Sequence, residues 1–179
     1  MLQVVKAPDP KLRIKTNPVK KISPALLQTL KEMIKLTQTY KEPEGVGLAS
    51  TQIGLDESFF VAKNLPAGKA GGQKFESFIN PRILQVGKRT KKYFEGCLST
   101  PNIWGEVKRH TQIKVSYKNQ AGLNITTTLK GIPAWIFQHE IDHLDGILFQ
   151  DRVLEQKGKF YKFTGKDKTG TDMFEEVNL

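Results

Sequence analysis

The segment Gln138-His139-Glu140-Ile141-Asp142-His143 constrains the fold of this chain more than any other part of its sequence. It lies in an apolar stretch that opens at Pro133 and is followed by Gly146, a pattern typical of one buried helix. Histidines four residues apart on a helix share one face, about one turn from each other. The segment therefore predicts a helix that presents His139 and His143 to a single metal ion.

Glu140 directly follows the first of these histidines, as the glutamate does in the HExxH motif. In that motif the carboxylate does not bind the metal but acts as general base on the water that the metal activates. Two alternatives stay open, a structural hydrogen-bond network and a closed structural zinc site. Burying two imidazoles and a carboxylate without an ion would be costly, and a closed site has no use for the carboxylate. We therefore favour a catalytic metal site.

The patterns elsewhere in the chain predict an α+β fold. Ser23-Pro24 is a helix-start signal, and apolar residues then recur at helical spacing to about Tyr40. We expect a single domain of antiparallel strands around a buried central helix that carries the HExxH motif, with this N-terminal helix beside it. The predicted strands are 59–62, 75–79 and 83–86, followed by a hairpin of 113–117 and 123–129.

The length of 179 residues allows one good core and argues against a second full domain. We place the metal-dependent domain at residues 1–155. Residues 156–179 form a polar C-terminal tail of the same domain, expected to be a short extended or partly disordered end. A Gly- and Pro-rich stretch at 64–72 predicts a surface loop.

The formal net charge of +10 bears on partners. It fits either an ordinary solvated basic surface or a weak, salt-sensitive association with a polyanion such as the ribosome. No motif for specific nucleic-acid reading is present, and no apolar run predicts a membrane span. The expected location is cytoplasmic, or the equivalent in an organelle or a phage host, with no membrane partner.

Cys97 is the single cysteine of the chain, so it cannot form an intramolecular disulfide. It is a buried filler residue, a nucleophile or a metal ligand.

Three segments, 45–52, 95–99 and 138–146, resemble in order and spacing the three motifs of the peptide deformylases. The opening 7–13 and the Asn80-Pro81 step are similar to that family as well, so the resemblance covers about residues 2 to 155. It implies a hydrolase that removes the formyl group from the N-terminal methionine of newly made polypeptides. It also implies one divalent metal ion, Fe²⁺, which Zn²⁺, Ni²⁺ or Co²⁺ can replace.

The same resemblance implies a role for individual residues. Glu95 and Arg109 look like an ion pair that braces the loop of Cys97. The residues that look like the reaction centre are the ligands Cys97, His139 and His143, the acid and base Glu140, and the oxyanion donors Gln52 and the Leu98 backbone N–H.

The pocket for the methionine side chain is implied by the first and third motifs. Its expected members are Val46, Gly47, Ile132 and Ile136, while Phe137 could face either this pocket or the core. For each apolar member, ordinary core packing is the alternative.

Two other functions are alternatives to this one. A metalloendopeptidase would need a third ligand downstream, and no histidine follows His143. A catalytically inactive ribosome-associated binding module would need neither Glu140 nor Gln52. The sequence assigns no role to Trp104, Trp135 or the tail.

Overall fold

The computed structural model describes residues 2–41, 43–64 and 74–178. Over these ranges the chain has three α-helices and nine β-strands, and every pairing of these strands is antiparallel. The predicted α+β class is thereby confirmed. The surface loop predicted at 64–72 lies outside the described residues from position 65 onward. The helices are α1 (Pro24–Thr39), α2 (Ile132–Leu144) and α3 (Phe149–Glu155). The strands are β1 (Gly47–Ala49), β2 (Phe59–Asn64), β3 (Lys74–Val86), β4 (Thr90–Cys97), β5 (Thr100–His110), β6 (Gln112–Lys118), β7 (Asn124–Lys130), β8 (Phe160–Lys166) and β9 (Asp172–Val177).

The strands form two sheets, one in the order β1-β2-β3-β6-β7 and the other in the order β4-β5-β8-β9. Strand β3 joins two strands that were predicted separately. It continues through Asn80-Pro81, where its register against β6 shifts and Asn80 has a φ of 50°. The Asn80 side chain accepts a hydrogen bond from the Val19 backbone N–H at 2.8 Å and donates one to the Val19 carbonyl at 2.9 Å. This step therefore fixes the N-terminal segment to the sheet.

Strand β2 is apolar on both faces because helices cover both sides of the five-stranded sheet. Phe59 and Val61 belong to the core cluster that contains the buried face of α1. Phe60 and Ala62 belong to the cluster that contains α2. A third cluster joins α3 to the four-stranded sheet.

Helix α1 begins as predicted, because the Ser23 hydroxyl accepts a hydrogen bond from the Leu26 N–H at 3.2 Å. It ends at Thr39, and Tyr40 is already extended.

Helix α2 carries the HExxH segment and packs against β1, β2 and β7 of one sheet and against β5 of the other. Gly146 ends the turn that follows it with a φ of 72°, and a Cβ atom there would lie 2.5 Å from the Arg13 carbonyl oxygen. This close approach explains the glycine. The buried residues of α2 are Ala134, Ile136, Phe137, Gln138, Glu140, Asp142, His143 and Leu144.

The polar tail contains a β-hairpin. Strands β8 and β9 pair with each other, and β8 pairs with β5 at the edge of the four-stranded sheet. The C-terminal end is thus extended, as expected, but it is paired into a hairpin over 160–177 and is not disordered there. Within the described part of the chain no helix is long and apolar enough to cross a membrane.

Candidate metal centre

Helix α2 places the two histidines of the motif side by side. The ring centroids of His139 and His143 are 5.0 Å apart. Cys97 ends β4, where the register between β4 and β5 shifts, and its Sγ lies 3.2 Å from Nε2 of His143. One ligand atom from each of the three side chains lies within 4.8 Å of the others. The structure therefore brings together the three predicted metal ligands.

This donor set fits a divalent metal ion. Burial acts to raise the pKa of the Cys97 thiol, but His143 and His139 outweigh burial and hold that pKa well below its ordinary value. A thiolate with two imidazoles is a donor set that transition metals bind, and three protein ligands leave a coordination position open.

Glu95 fixes the orientation of the first histidine. Its fully buried carboxylate lies 2.8 Å from Nδ1 of His139 and accepts a 2.8 Å hydrogen bond from Nε1 of Trp135. Arg109 donates to both of its oxygens, at 2.8 and 2.9 Å. Burial alone would raise the pKa of Glu95, but the hydrogen bonds from Arg109 and His139 lower it to about 2. An ionised Glu95 holds the proton of His139 on Nδ1 and leaves Nε2 to the centre.

Asp142 connects the metal centre to the surrounding elements. It accepts hydrogen bonds from Arg109 of β5 and, at 2.6 and 3.1 Å, from Arg152 of α3. Asp142 is buried. Asp145 lies at the surface, 3.6 Å from Lys15.

Glu140 is buried beside the three candidate ligands, and one of its carboxylate oxygens has no hydrogen-bond partner within the described residues. A Cβ atom at Gly47 would lie 2.2 Å from Oε1 of Glu140, so the glycine lets β1 approach the carboxylate. Burial raises the pKa of Glu140 to about 7, against the opposing effect of His139 and His143. A carboxyl group with this pKa can take up and release a proton near neutral pH.

The Gln52 side chain reaches the same centre from a 3₁₀ turn, Ser50–Ile53. Its Oε1 accepts a hydrogen bond from the Ala49 N–H at 2.8 Å. Its Nε2 donates to the Ser99 hydroxyl at 3.1 Å and to Sγ of Cys97 at 3.3 Å. Leu98 follows the cysteine, and its carbonyl accepts a 2.6 Å hydrogen bond from Nζ of Lys6.

A cavity opens onto these side chains. The predicted pocket residues Val46, Gly47 and Ile136 line it, but Ile132 does not: its exposure is 48% at the start of α2. Phe137 packs in the core against Phe60 and Phe78. The lining residues are Pro43, Glu44, Val46, Gly47, Gln52, Gly96, Cys97, Leu98, Trp135, Ile136, His139 and Glu140.

Sequence reasoning missed Trp135 and Lys6 as neighbours of the site. Trp135 lies four residues before His139, so helical spacing alone places both on one face. Lys6 has no comparable signal, because only the folded chain brings it near Leu98.

A sequence model of the family described as "Polypeptide deformylase" matches residues 1–159. The chain belongs to this family. It is 40% identical over 149 residues to a peptide deformylase of Thermotoga neapolitana, an alignment that covers 83% of this chain and 85% of that protein.

Solved structures of the family share the fold. The crystal structure of a peptide deformylase from Thermotoga maritima is 39% identical with a TM-score of 0.76, covering 85% of this chain and 97% of that one. A class I type b peptide deformylase from Acinetobacter baumannii, crystallised with Met-Ala-Ser bound, is 33% identical with a TM-score of 0.74, covering 85% and 98%.

Proposed function

We propose that the centre at Cys97, His139 and His143 removes the N-formyl group from the N-terminal methionine of newly synthesised polypeptides. Membership of the deformylase family supports this activity. The observation that carries the assignment to these residues is that two imidazoles and one thiolate converge beside a buried glutamate. Deformylation is an amide hydrolysis, which this combination of groups can perform.

Cys97, His139 and His143 would hold the metal ion. When bound, such an ion polarises the formyl oxygen and lowers the pKa of a water molecule from about 15.7 towards 7. We infer that the ion is Fe²⁺, replaceable by Zn²⁺, Ni²⁺ or Co²⁺, as the resemblance implies. Glu95 keeps the His139 ring in the orientation that the centre requires.

Glu140 would carry the proton through the reaction. It takes a proton from the attacking water as the water oxygen bonds to the formyl carbon. It then gives this proton to the amine nitrogen as the C–N bond breaks, so that formate and a free methionine amine are released. Its raised pKa, about 7, suits both steps.

Gln52 and the Leu98 backbone N–H are the proposed donors to the oxyanion. The Gln52 amide has two N–H bonds, directed at Ser99 and Cys97. Contact with the oxyanion would replace the longer bond, the one to Cys97. Each such donor contributes about 3 kcal/mol of transition-state stabilisation.

Val46, Gly47 and Ile136 are the proposed boundary of the methionine pocket, since they line the cavity beside Glu140. Ile132 lies outside this cavity, at the exposed start of α2, and we leave it out of the proposed boundary. Because the Acinetobacter baumannii relative binds Met-Ala-Ser, we propose that the same tripeptide sequence enters this cavity.

Further proposals concern the domain, the location and the partners of the chain. We propose that α2 is the buried central helix of one domain, 1–155, to which 156–179 belongs as a tail. We propose a cytoplasmic location, or the equivalent in an organelle or a phage host. The charge of +10 supports weak ribosome association without specific nucleic-acid recognition.

The endopeptidase and the inactive binding module are disfavoured. Within the whole sequence no histidine follows His143 to act as a further ligand. The inactive module is disfavoured because Gln52 and Glu140 are both present at the cavity.

A comparison of acyl groups tests the proposed function. A formyl group is small enough to approach a centre crowded by Gln52, Leu98 and Gly47, whereas an acetyl methyl group would collide at the reacting carbon. We expect metal-loaded protein to hydrolyse formyl-Met-Ala-Ser far faster than acetyl-Met-Ala-Ser and to leave casein uncut. Rapid casein digestion that Glu140→Gln abolishes would instead identify an endopeptidase.

A further inference from the structure

The C-terminal hairpin of β8 and β9 is the part of the fold to which no role has been assigned. It begins at Phe160, directly after the family match ends at residue 159. It pairs with β5, whose strand begins three residues after Cys97. The hairpin is therefore an addition to the sheet that carries a metal ligand.

Aromatic side chains from all four strands meet on one face of this sheet. The ring centroids of Phe94 on β4 and Phe174 on β9 are 4.8 Å apart, although two strands lie between β4 and β9 in the sheet order. Trp104 lies 5.4 Å from each of these rings, and Phe163 lies 5.7 Å from Phe174. The sheet therefore curls around these rings and turns the hairpin inward.

The curled sheet forms one side of a groove. Trp104 and Phe163 line it from the sheet, and Lys41, Pro43 and Glu44 line it from the segment that follows α1. Pro43 and Glu44 also line the cavity at Glu140. The groove is thus continuous with the mouth of the candidate metal centre.

We propose that the C-terminal hairpin forms one side of a binding groove for the part of the formylated polypeptide that follows its first three residues. This inference rests on the proposed function. A peptide whose first residue occupies the cavity extends by about 3.3 to 3.6 Å per residue and has to leave past Pro43 and Glu44. The aromatic surface of Trp104 and Phe163 would take a large apolar side chain of that peptide.

The charges of the groove favour a peptide over a nucleic acid. Glu44 forms an ion pair with Lys63, and Asp172 lies 3.3 Å from Nζ of Lys166. The lining of the groove carries two lysines, Lys41 and Lys166, and two carboxylates, Glu44 and Asp172, so its charges balance and offer a phosphate backbone no net attraction.

Extended substrates provide the test. We compare formyl-Met-Ala-Ser with peptides that are four residues longer. In one series Phe occupies each added position in turn, and in the reference peptide all four added residues are Gly or Ser. In the wild type we expect one Phe position to raise kcat/KM by about tenfold, the gain from burying one aromatic side chain. Phe163→Ala should remove this gain, while turnover of formyl-Met-Ala-Ser, a peptide that ends before the groove, reports whether the site is folded.

Two further variants separate binding from hairpin folding. Lys162→Ala changes the residue that precedes Phe163 in β8 and lies on the opposite face of the sheet, so this variant should keep the gain. Lys41→Ala should lower the gain, because it removes an alkyl chain that lines the groove, while leaving the hairpin intact. An equal gain in wild type and Phe163→Ala, or no gain from any Phe position, would overturn the proposal.

Calorimetric binding of the unformylated product peptides distinguishes this proposal from the proposed function. Binding that depends on Phe163 without any turnover would support the groove and refute the deformylase activity. Turnover of formyl-Met-Ala-Ser with no such binding would do the reverse. Binding of a single-stranded RNA oligonucleotide that Phe163→Ala abolishes, with no preference among peptides, would assign the groove to nucleic acid and overturn the proposal.

Discussion

At the scale of single residues, the proposed chemistry depends on how closely Glu140 is held. The carboxylate is buried against the backbone of β1, where Gly47 leaves no space for a side chain. Burial also raises its pKa to about 7. Position and proton affinity therefore have the same structural origin.

Substitution of this glycine tests that origin. In Gly47→Ala the new Cβ would lie 2.2 Å from Oε1 of Glu140, so the carboxylate must move. Because the end of a flexible side chain can move at little cost, we expect stability to change little. A displacement of about 1 Å should lower kcat by about a hundredfold. Metal content measured in the same samples is the control, and wild-type kcat in this variant would show that the position of Glu140 is not critical.

Glu95 should make the stability of the metal-free protein depend on pH. Its pKa falls from the ordinary 4.5 to about 2, because the hydrogen bonds from Arg109 and His139 outweigh burial. Since the pKa is lower in the folded state, ionised Glu95 stabilises the fold above about pH 4.5, and this stabilisation is lost as the pH falls towards 2. The difference amounts to about 3 kcal/mol. In urea unfolding, the wild type should lose stability more steeply than Glu95→Gln across this window; parallel curves would contradict the assignment.

At the scale of secondary-structure elements, Asp142 and two arginines connect α2, β5 and α3. Arg109 is buried between two carboxylates, whereas the Arg152 side chain is 30% exposed. The two arginines therefore differ in what their removal leaves behind. Without Arg109, Glu95 and Asp142 lose a buried partner. Without Arg152, Asp142 keeps Arg109.

This asymmetry predicts different losses of stability. Arg109→Met should cost about 3 to 5 kcal/mol, the effect of leaving buried charges uncompensated. Arg152→Ala should cost about 1 kcal/mol, as for a partly exposed ion pair. Urea unfolding midpoints measure both, and equal losses would contradict the proposed connection.

The helices and strands with strong local periodicity could be predicted from the sequence. The spacing of His139 and His143, the start of α1 at Ser23 and the hairpin of β6 and β7 are local patterns, and each was found. Strands β4 and β5 were not predicted, and the β8–β9 hairpin was expected only as an extended or disordered end. Their pairing is decided by contacts between distant segments, which periodicity does not encode.

In the candidate site, too, local patterns could be predicted from the sequence and contacts between distant residues could not. Cys97 lies 46 positions from His143, and its role could be inferred only from the resemblance to a family. The hydrogen bond from Trp135 to Glu95 spans 40 positions and had no sequence signal beyond the helical position of Trp135.

At the scale of the whole molecule, the site exists only where the two sheets meet. Gln52 follows the five-stranded sheet's first strand, Cys97 belongs to the four-stranded sheet, and α2 packs against both. No single element carries the ligands, the proton carrier and the oxyanion donors. Metal binding should therefore stabilise the folded chain, because an unfolded chain does not offer the same ligands together.

Metal content and turnover of Glu140→Gln and Cys97→Ala test the central claim most directly. We predict that Glu140→Gln retains about one ion per chain and loses turnover of formyl-Met-Ala-Ser, since only the proton carrier is removed. Cys97→Ala should lose the ion and the activity together. Turnover at the wild-type rate by metal-loaded Glu140→Gln would contradict the account.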